Sequence, residues 1–129
     1  MEKNNRFLLD THIFIWWMKQ EKRLKKEIET VLKNPENQIF LSVASVLEIV
    51  IKKKIGKLKV PQDWKVDLRE SSFLLLPISL ENAFQLESLP LFHHDPFDRM
   101  LIAQTKVEGA TLITGDEKIW KYDIPILKA

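Results

Sequence analysis

Residues 93–119 read HHDPFDRMLIAQTKVEGATLITGDEKI, and this stretch decides how the chain folds. From about residue 96 to residue 108 an apolar run follows a helical pattern. Asp95 suits the N-cap, Pro96 the first helical position, and Asp98 the first turn, where the helix dipole favours a negative charge. ATLITGD is then a short apolar strand closed by an acid, with Gly115 allowing a tight turn. Capping explains Asp95 and Asp98 as well as ligation does, so the stretch alone leaves their purpose open.

Working outward, the same alternation recurs. RFLLD is a strand ending in Asp10, and THIFIWWMKQ is a first helix or turn. EKRLKKEIETVLKN places Leu24, Ile28, Val31 and Leu32 at helical spacing, and Asn34-Pro35 stops it. QIFLS is a second strand. Ser42 is a candidate cap for a helix running to about residue 54, before Gly56. VPQDWKVDLRES supplies a loop and short helix, and FLLLPIS a buried strand stopped by Pro77. SLENAFQLESLPL is capped and helical, EKIWKY is a short helix, and IPIL is a last edge strand. Short apolar strands alternating with helices predict an α/β protein with a parallel sheet covered on both faces. In such sheets ligands sit beyond the carboxyl ends of the strands.

That rule makes the acids interesting. Asp10 and Asp116 end strands, Asp98 opens a helix after a loop, and Glu48 lies in a helix otherwise rich in Val, Ile, Leu and Ala. Carboxylates crowded at one sheet edge repel and raise one another's pKa. A hard divalent cation, Mg²⁺ or Mn²⁺, relieves the repulsion. Each acid also has a local explanation. Asp10 and Asp116 suit helix caps, and Ser45, Glu48 and Lys52 form a polar stripe in which Glu48 faces water and pairs with Lys52. These local explanations do not account for every acid falling at or beside a strand end, so the joint pattern favours a site.

The remaining composition bounds the class. At 129 residues the chain, 1–129, is expected to be one domain with a real core. With 45% hydrophobic and 29% charged residues it matches soluble globular proteins. It has no cysteine, which removes disulfides and thiolate chemistry and points to a reducing cytoplasm. The start, MEKNNRFLLDTHIF, lacks the uninterrupted apolar segment of a signal peptide, and no run approaches the ~20 apolar residues of a membrane helix. Residues 1–65 carry 14 Lys+Arg against 8 Asp+Glu, and residues 66–129 carry 6 against 10. A basic half beside an acidic half suits a polyanion held near carboxylates, and equally suits two solvated faces.

LLDTH, LSVASVLEI, HHDPFDRMLIAQ and TLITGDEKI together resemble the PIN-domain nucleases, and more specifically the VapC-type toxins of prokaryotic toxin–antitoxin pairs. The similarity runs along essentially the whole chain in the family's order and spacing, and DPFDRMLIAQ resembles one VapC-like subgroup particularly closely. The resemblance implies an α/β/α sandwich with a central parallel β-sheet. It implies an endoribonuclease dependent on Mg²⁺ or Mn²⁺, a homodimer, inhibited by a cognate antitoxin. On that resemblance the family's four acids fall on Asp10, Glu48, Asp98 and Asp116, as metal ligands. Thr114 and Ser42 match small hydroxyls that support the acids. Asp95 is an extra carboxylate read mainly as the N-cap, so Asp95 caps and Asp98 holds metal.

Lys52, Lys53, Lys54, Lys57 and Lys59 follow the helix of Glu48. Lys52, Lys53 and Lys54 are candidate RNA phosphate contacts, or a solvated helix end. Arg99 is a further candidate contact, or the partner of an acid. His12, His93 and His94 lie near the acids in sequence, but no HExxH-type spacing favours zinc. Trp16 and Trp17 are adjacent, so on a helix they cannot both point inward; one is expected to be partly exposed at a dimer or antitoxin surface.

Three other readings compete. A phosphotransfer phosphatase needs a second acid where this chain has His12, and a receiver needs an acidic pair upstream of its phosphorylated Asp, where FLLD offers one. Both are disfavoured. A catalytically inactive PIN-fold module binding RNA or a protein partner is the remaining alternative, and the retained quartet argues against it.

Overall fold

The computed structural model describes residues 5–129; the charged start, residues 1–4, on which the leader-peptide expectation partly rests, lies outside them. Five strands, β1 (Arg6–Leu9), β2 (Gln38–Ser42), β3 (Leu74–Leu76), β4 (Thr111–Thr114) and β5 (Ile126–Lys128), form one parallel sheet in the order β3-β2-β1-β4-β5. The helices are α1 (Thr11–Lys19), α2 (Lys26–Lys33), α3 (Val43–Lys54), α4 (Trp64–Glu70), α5 (Leu80–Gln85) and α6 (Pro96–Glu108). This is the α/β/α arrangement expected.

Alternation along the central strands divides the core in two. Leu9 and Ile113 face one side with Ile13, Phe14, Ile28, Ile49 and Trp64; Leu8 and Leu112 face the other with Leu101, Ile102 and Ile119. Because both faces are covered, β1 and β4 contain continuous apolar residues. Each fully buried Leu or Ile contributes roughly 1.5–3 kcal/mol, so these two layers supply most of the force that closes the sandwich.

The chain leaves β1 toward β2 and β3, then returns to the other side of β1 as β4. The crevice between the carboxyl ends of β1 and β4 is therefore the topological switch point, where open α/β sheets place their ligands. Asp10 follows β1 directly, and Asp116 follows β4 after one glycine.

Local signals place α6 as expected. Asp95 accepts hydrogen bonds from the N–H groups of Phe97 (2.8 Å) and Asp98 (3.1 Å), Pro96 starts the helix, and Gly109 ends it at φ 64°. Since asparagine keeps the capping oxygen, and the lost Lys52 contact at 3.5 Å is offset by relief of repulsion on Asp98, Asp95→Asn is expected to leave thermal stability nearly unchanged and Asp95→Ala to cost about 1 kcal/mol.

Three readings need correction. FLLLPIS does form a strand, but β3 is an edge strand with Leu74 and Leu75 exposed, not a buried one. The second helix starts only at Lys26, because Leu24 is buried from within a turn. EKIWKY forms a single 3₁₀ turn, Ile119–Lys121, tied down by the Trp120 indole N–H donating to Thr114 O at 2.9 Å. Trp16 and Trp17 are both half-buried against the core, Trp17 stacked on Phe14. Among the described residues, no helix is long and apolar enough to cross a membrane.

Candidate metal centre

Asp10 is buried at the end of β1. Its Oδ2 accepts from the Thr114 hydroxyl (2.7 Å) across the β1–β4 crevice, and its Oδ1 accepts from the His12 N–H at 3.4 Å, a long cap to α1. Asp10 thus both caps and faces the crevice. Burial pushes its carboxyl above the usual range; the Thr114 hydrogen bond opposes this, and the charge of Glu48 reinforces it.

Asp98, one turn into α6, is pushed up to about 8. Burial is the leading cause, followed by the charges of Asp10, Asp95, Glu48 and Asp116. A carboxyl sensing four others marks a site where negative charge outweighs positive. The four acids of the sequence quartet are therefore brought together, with Asp95 beside them.

Glu48 is buried, not turned to water as the polar-stripe reading had it. The Thr11 hydroxyl donates to its Oε1 at 2.7 Å and lies 2.9 Å from Ser45 Oγ. Lys52 Nζ donates to Oε2 at 2.5 Å and reaches Asp95 Oδ2 at 3.5 Å. Desolvation works against the ammonium, but Glu48 and Asp95 outweigh it and hold its pKa above the ordinary lysine value. Lys52 is thus a tethered cation inside the cluster, while Lys53 and Lys54 are exposed at the end of α3.

Asp116 Oδ1 accepts from the Lys118 N–H at 2.9 Å, shaping the turn after β4, and its own N–H donates to Thr114 Oγ1 at 3.0 Å. Thr114 thus positions two acids. Ser42, expected to support the acids, instead caps α3 by accepting from the Ala44 N–H at 2.9 Å and donates to Gln104 on α6, away from the carboxylates.

Arg99 also differs from expectation. Its guanidinium donates to the carbonyls of Pro90 (2.9 Å), His93 (3.2 Å), Leu86 (3.3 Å) and Leu89 (3.3 Å), and to the Tyr122 hydroxyl (3.3 Å). It organises the loop before α6. Thr11 and Gln104 were missed by sequence reasoning, while Ser45 had been read only as part of the polar stripe. Thr11 directly follows Asp10, and that adjacency was the available signal.

A cleft of about 270 Å³ opens here, lined by Asp10, His12, Ile13, Trp16, Asp98, Gly115 and Asp116. One ligand atom each from His93, Asp98 and Asp116 lies within 4.8 Å of the others. Carboxylate oxygens predominate, the donor set of a hard cation, and the raised Asp98 carboxyl gives that cation a charge to neutralise. The residues fit Mg²⁺ or Mn²⁺.

A parallel α/β sandwich with clustered acids at its switch point defines a class of carboxylate-centred α/β proteins. Residues 7–125 match the PIN domain family, and the chain belongs to that family. PIN domains are generally nucleases. Solved structures of similar fold include VapBC2 from Rickettsia felis bound to a DNA fragment from their promoter, at 18% identity, 95% coverage of this chain and 98% of that one, and TM-score 0.72. A toxin-antitoxin complex from Klebsiella pneumoniae matches at 20% identity, 94% and 95% coverage, and TM-score 0.64. FitAcB from Neisseria gonorrhoeae matches at 17% identity, 95% and 96% coverage, and TM-score 0.68. No curated protein matches the chain.

Proposed function

We propose that this chain is a single-domain endoribonuclease dependent on Mg²⁺ or Mn²⁺, and the VapC-type toxin of a cytoplasmic toxin–antitoxin pair. The observation that carries the reading is the convergence of Asp10, Glu48, Asp98 and Asp116 at the β1–β4 crevice, with Asp98 raised to about 8.

Asp10, Asp98 and Asp116 would hold the cation. Glu48, held by Thr11 and by the Lys52 ammonium, would add its charge to the same cluster. When bound, the cation neutralises charge developing on the phosphoryl oxygens and acidifies the attacking water. Thr114 fixes Asp10, and Thr11 fixes Glu48, so the carboxylates do not need to reorganise during attack. In-line hydrolysis leaves a 5′ phosphate and a 3′ hydroxyl and does not need the 2′-OH as nucleophile.

Lys53 and Lys54, exposed beyond Glu48, contact RNA phosphates. Replacing both by Ala is expected to weaken binding uniformly across sequences and to flatten the plot of log affinity against log salt by about 1.4, at roughly 0.7 per phosphate on a single strand. Filter binding at several salt concentrations measures this.

An antitoxin partner is supported by the structures of similar fold and by an apolar groove between α3, α4 and β3, lined by Val46, Val50, Trp64, Phe73 and Leu75. A homodimer is supported by the exposed apolar side chains of α3 and α5, among them Leu47, Ile51, Leu80 and Phe84.

The test is cleavage of a mixed cellular RNA pool with Mg²⁺ or Mn²⁺, beside lanes containing EDTA and the Asp98→Asn variant. Discrete cuts requiring both metal and Asp98, with 5′-phosphate ends, support the reading. Metal binding without any cut favours the inactive RNA- or protein-binding module instead. Cuts that survive both EDTA and Asp98→Asn exclude the site.

A further inference from the structure

His93 is held at three points. Its backbone N–H donates to the Tyr122 hydroxyl at 3.0 Å, its carbonyl accepts from Arg99, and its ring Nδ1 accepts from the Asp95 N–H at 3.2 Å. The last contact decides the tautomer: Nδ1 presents its lone pair to an amide hydrogen, so the ring proton sits on Nε2. That Nε2 lies 2.9 Å from Asp116 Oδ2 and 3.0 Å from Asp98 Oδ2. The two acids come from different elements, the turn after β4 and the first turn of α6.

We propose that His93 is a positioning residue whose Nε2–H donates to Asp116 while the same ring edge packs against Asp98, setting the mutual orientation of the two acids for the cation, without itself being a ligand. The inference rests on the metal reading above and assigns a role in it to a residue outside the quartet. Two acids approaching one another would otherwise turn apart; the Nε2–H hydrogen bond anchors Asp116 at 2.9 Å, and the same ring edge, 3.0 Å from Asp98 Oδ2, limits where Asp98 can turn. The ring meets Asp98 at Oδ2, which leaves Oδ1 for the cation. Proton placement also excludes Nε2 as a donor to metal: ligation would require the proton to move to Nδ1, against the Asp95 N–H. Donors that fix ligands in this manner typically change metal affinity by about 10–100-fold when lost.

The test uses the full chain with ¹⁵N-labelled histidine. Side-chain ¹H–¹⁵N spectra, with His93 identified by its absence from His93→Gln, are expected to show the Nε2–H tautomer before Mg²⁺ is added and to retain it afterwards. In parallel, Mg²⁺ affinity is read from the ligand dependence of thermal unfolding. His93→Ala is expected to weaken it about tenfold or more, while His93→Gln, whose Nε2 lies the same number of bonds from Cβ, stays within about threefold. An Nδ1–H tautomer in the metal-free chain overturns the inference. So does loss of the Nε2 proton on adding Mg²⁺, which would make His93 a ligand, or unchanged affinity in His93→Ala. Failure of the metal reading itself looks different: the unmodified chain shows no Mg²⁺ response, and both proposals fall together.

Discussion

Asp98→Asn is expected to stabilise the metal-free protein at pH 8 while removing its response to Mg²⁺ and its RNA cleavage. In the unfolded chain the Asp98 carboxyl ionises near 3.9; in the folded protein it is held to about 8. Between these values the folded state keeps a proton that the unfolded state has lost. Stability conferred by the protonated form is therefore complete below about pH 4, falls as pH rises, and is gone above about pH 8. One pKa unit corresponds to about 1.4 kcal/mol, so even half of the shift costs roughly 2–3 kcal/mol at pH 8. Asparagine keeps the shape and cannot ionise, which removes that slope. Mg²⁺ at one hundred times its dissociation constant returns about 2.7 kcal/mol to the unmodified chain. Denaturant unfolding at pH 5 and pH 8, with and without Mg²⁺, measures all four quantities. A flat metal-free profile in the unmodified chain, or a Mg²⁺ response surviving in Asp98→Asn, removes Asp98 from the site.

The same residue shows why much of the site was legible in the sequence. Asp10 and Asp116 each close a short apolar run, and both the run and its acid are local features. A parallel sheet brings its carboxyl ends together, so two local patterns predict one non-local meeting. Asp95 and Asp98 were separated only by the family resemblance, since local grammar suits both as caps; in the structure Asp95 accepts from the amides of Phe97 and Asp98.

What was not legible depends on contacts between segments far apart in sequence. β3 reads as buried because its residues are apolar, yet burial of a strand depends on what lies beyond it, and nothing among the described residues pairs with its outer edge. Ser42 matched a supporting hydroxyl by position, but its side chain turns to Gln104, 62 residues away. The Lys52–Glu48 pair was legible from helical spacing and is present, but the contact to Asp95, 43 residues on, was not. His93 carried no interpretable spacing because its role requires the loop after the 3₁₀ turn Leu86–Ser88 to return to β4. Fully buried Asp10 and Glu48 are tolerated only because Thr114, Thr11 and Lys52 meet them.

That loop is set by Arg99, so Arg99→Ala is expected to cost about 3 kcal/mol of stability although the residue lies beside the site. Five acceptors, four carbonyls and the Tyr122 hydroxyl, share its guanidinium. Hydrogen bonds to a charged group contribute roughly 1.5–3 kcal/mol net, and carbonyls left without donors add a desolvation cost. Arg99→Lys should rescue little, because an ammonium is a point donor and cannot span acceptors on both guanidinium nitrogens. The loss should extend to Mg²⁺ affinity, since the His93 carbonyl is one of the acceptors and its ring meets Asp98 and Asp116. An arginine whose work was to bind phosphate would behave in the opposite manner. Its removal would leave unfolding and Mg²⁺ binding unchanged and would reduce the salt dependence of RNA binding by about one phosphate contact. Unfolding, Mg²⁺ titration and salt-dependent RNA binding of Arg99→Ala and Arg99→Lys therefore separate a strut of the metal centre from a contact to the substrate.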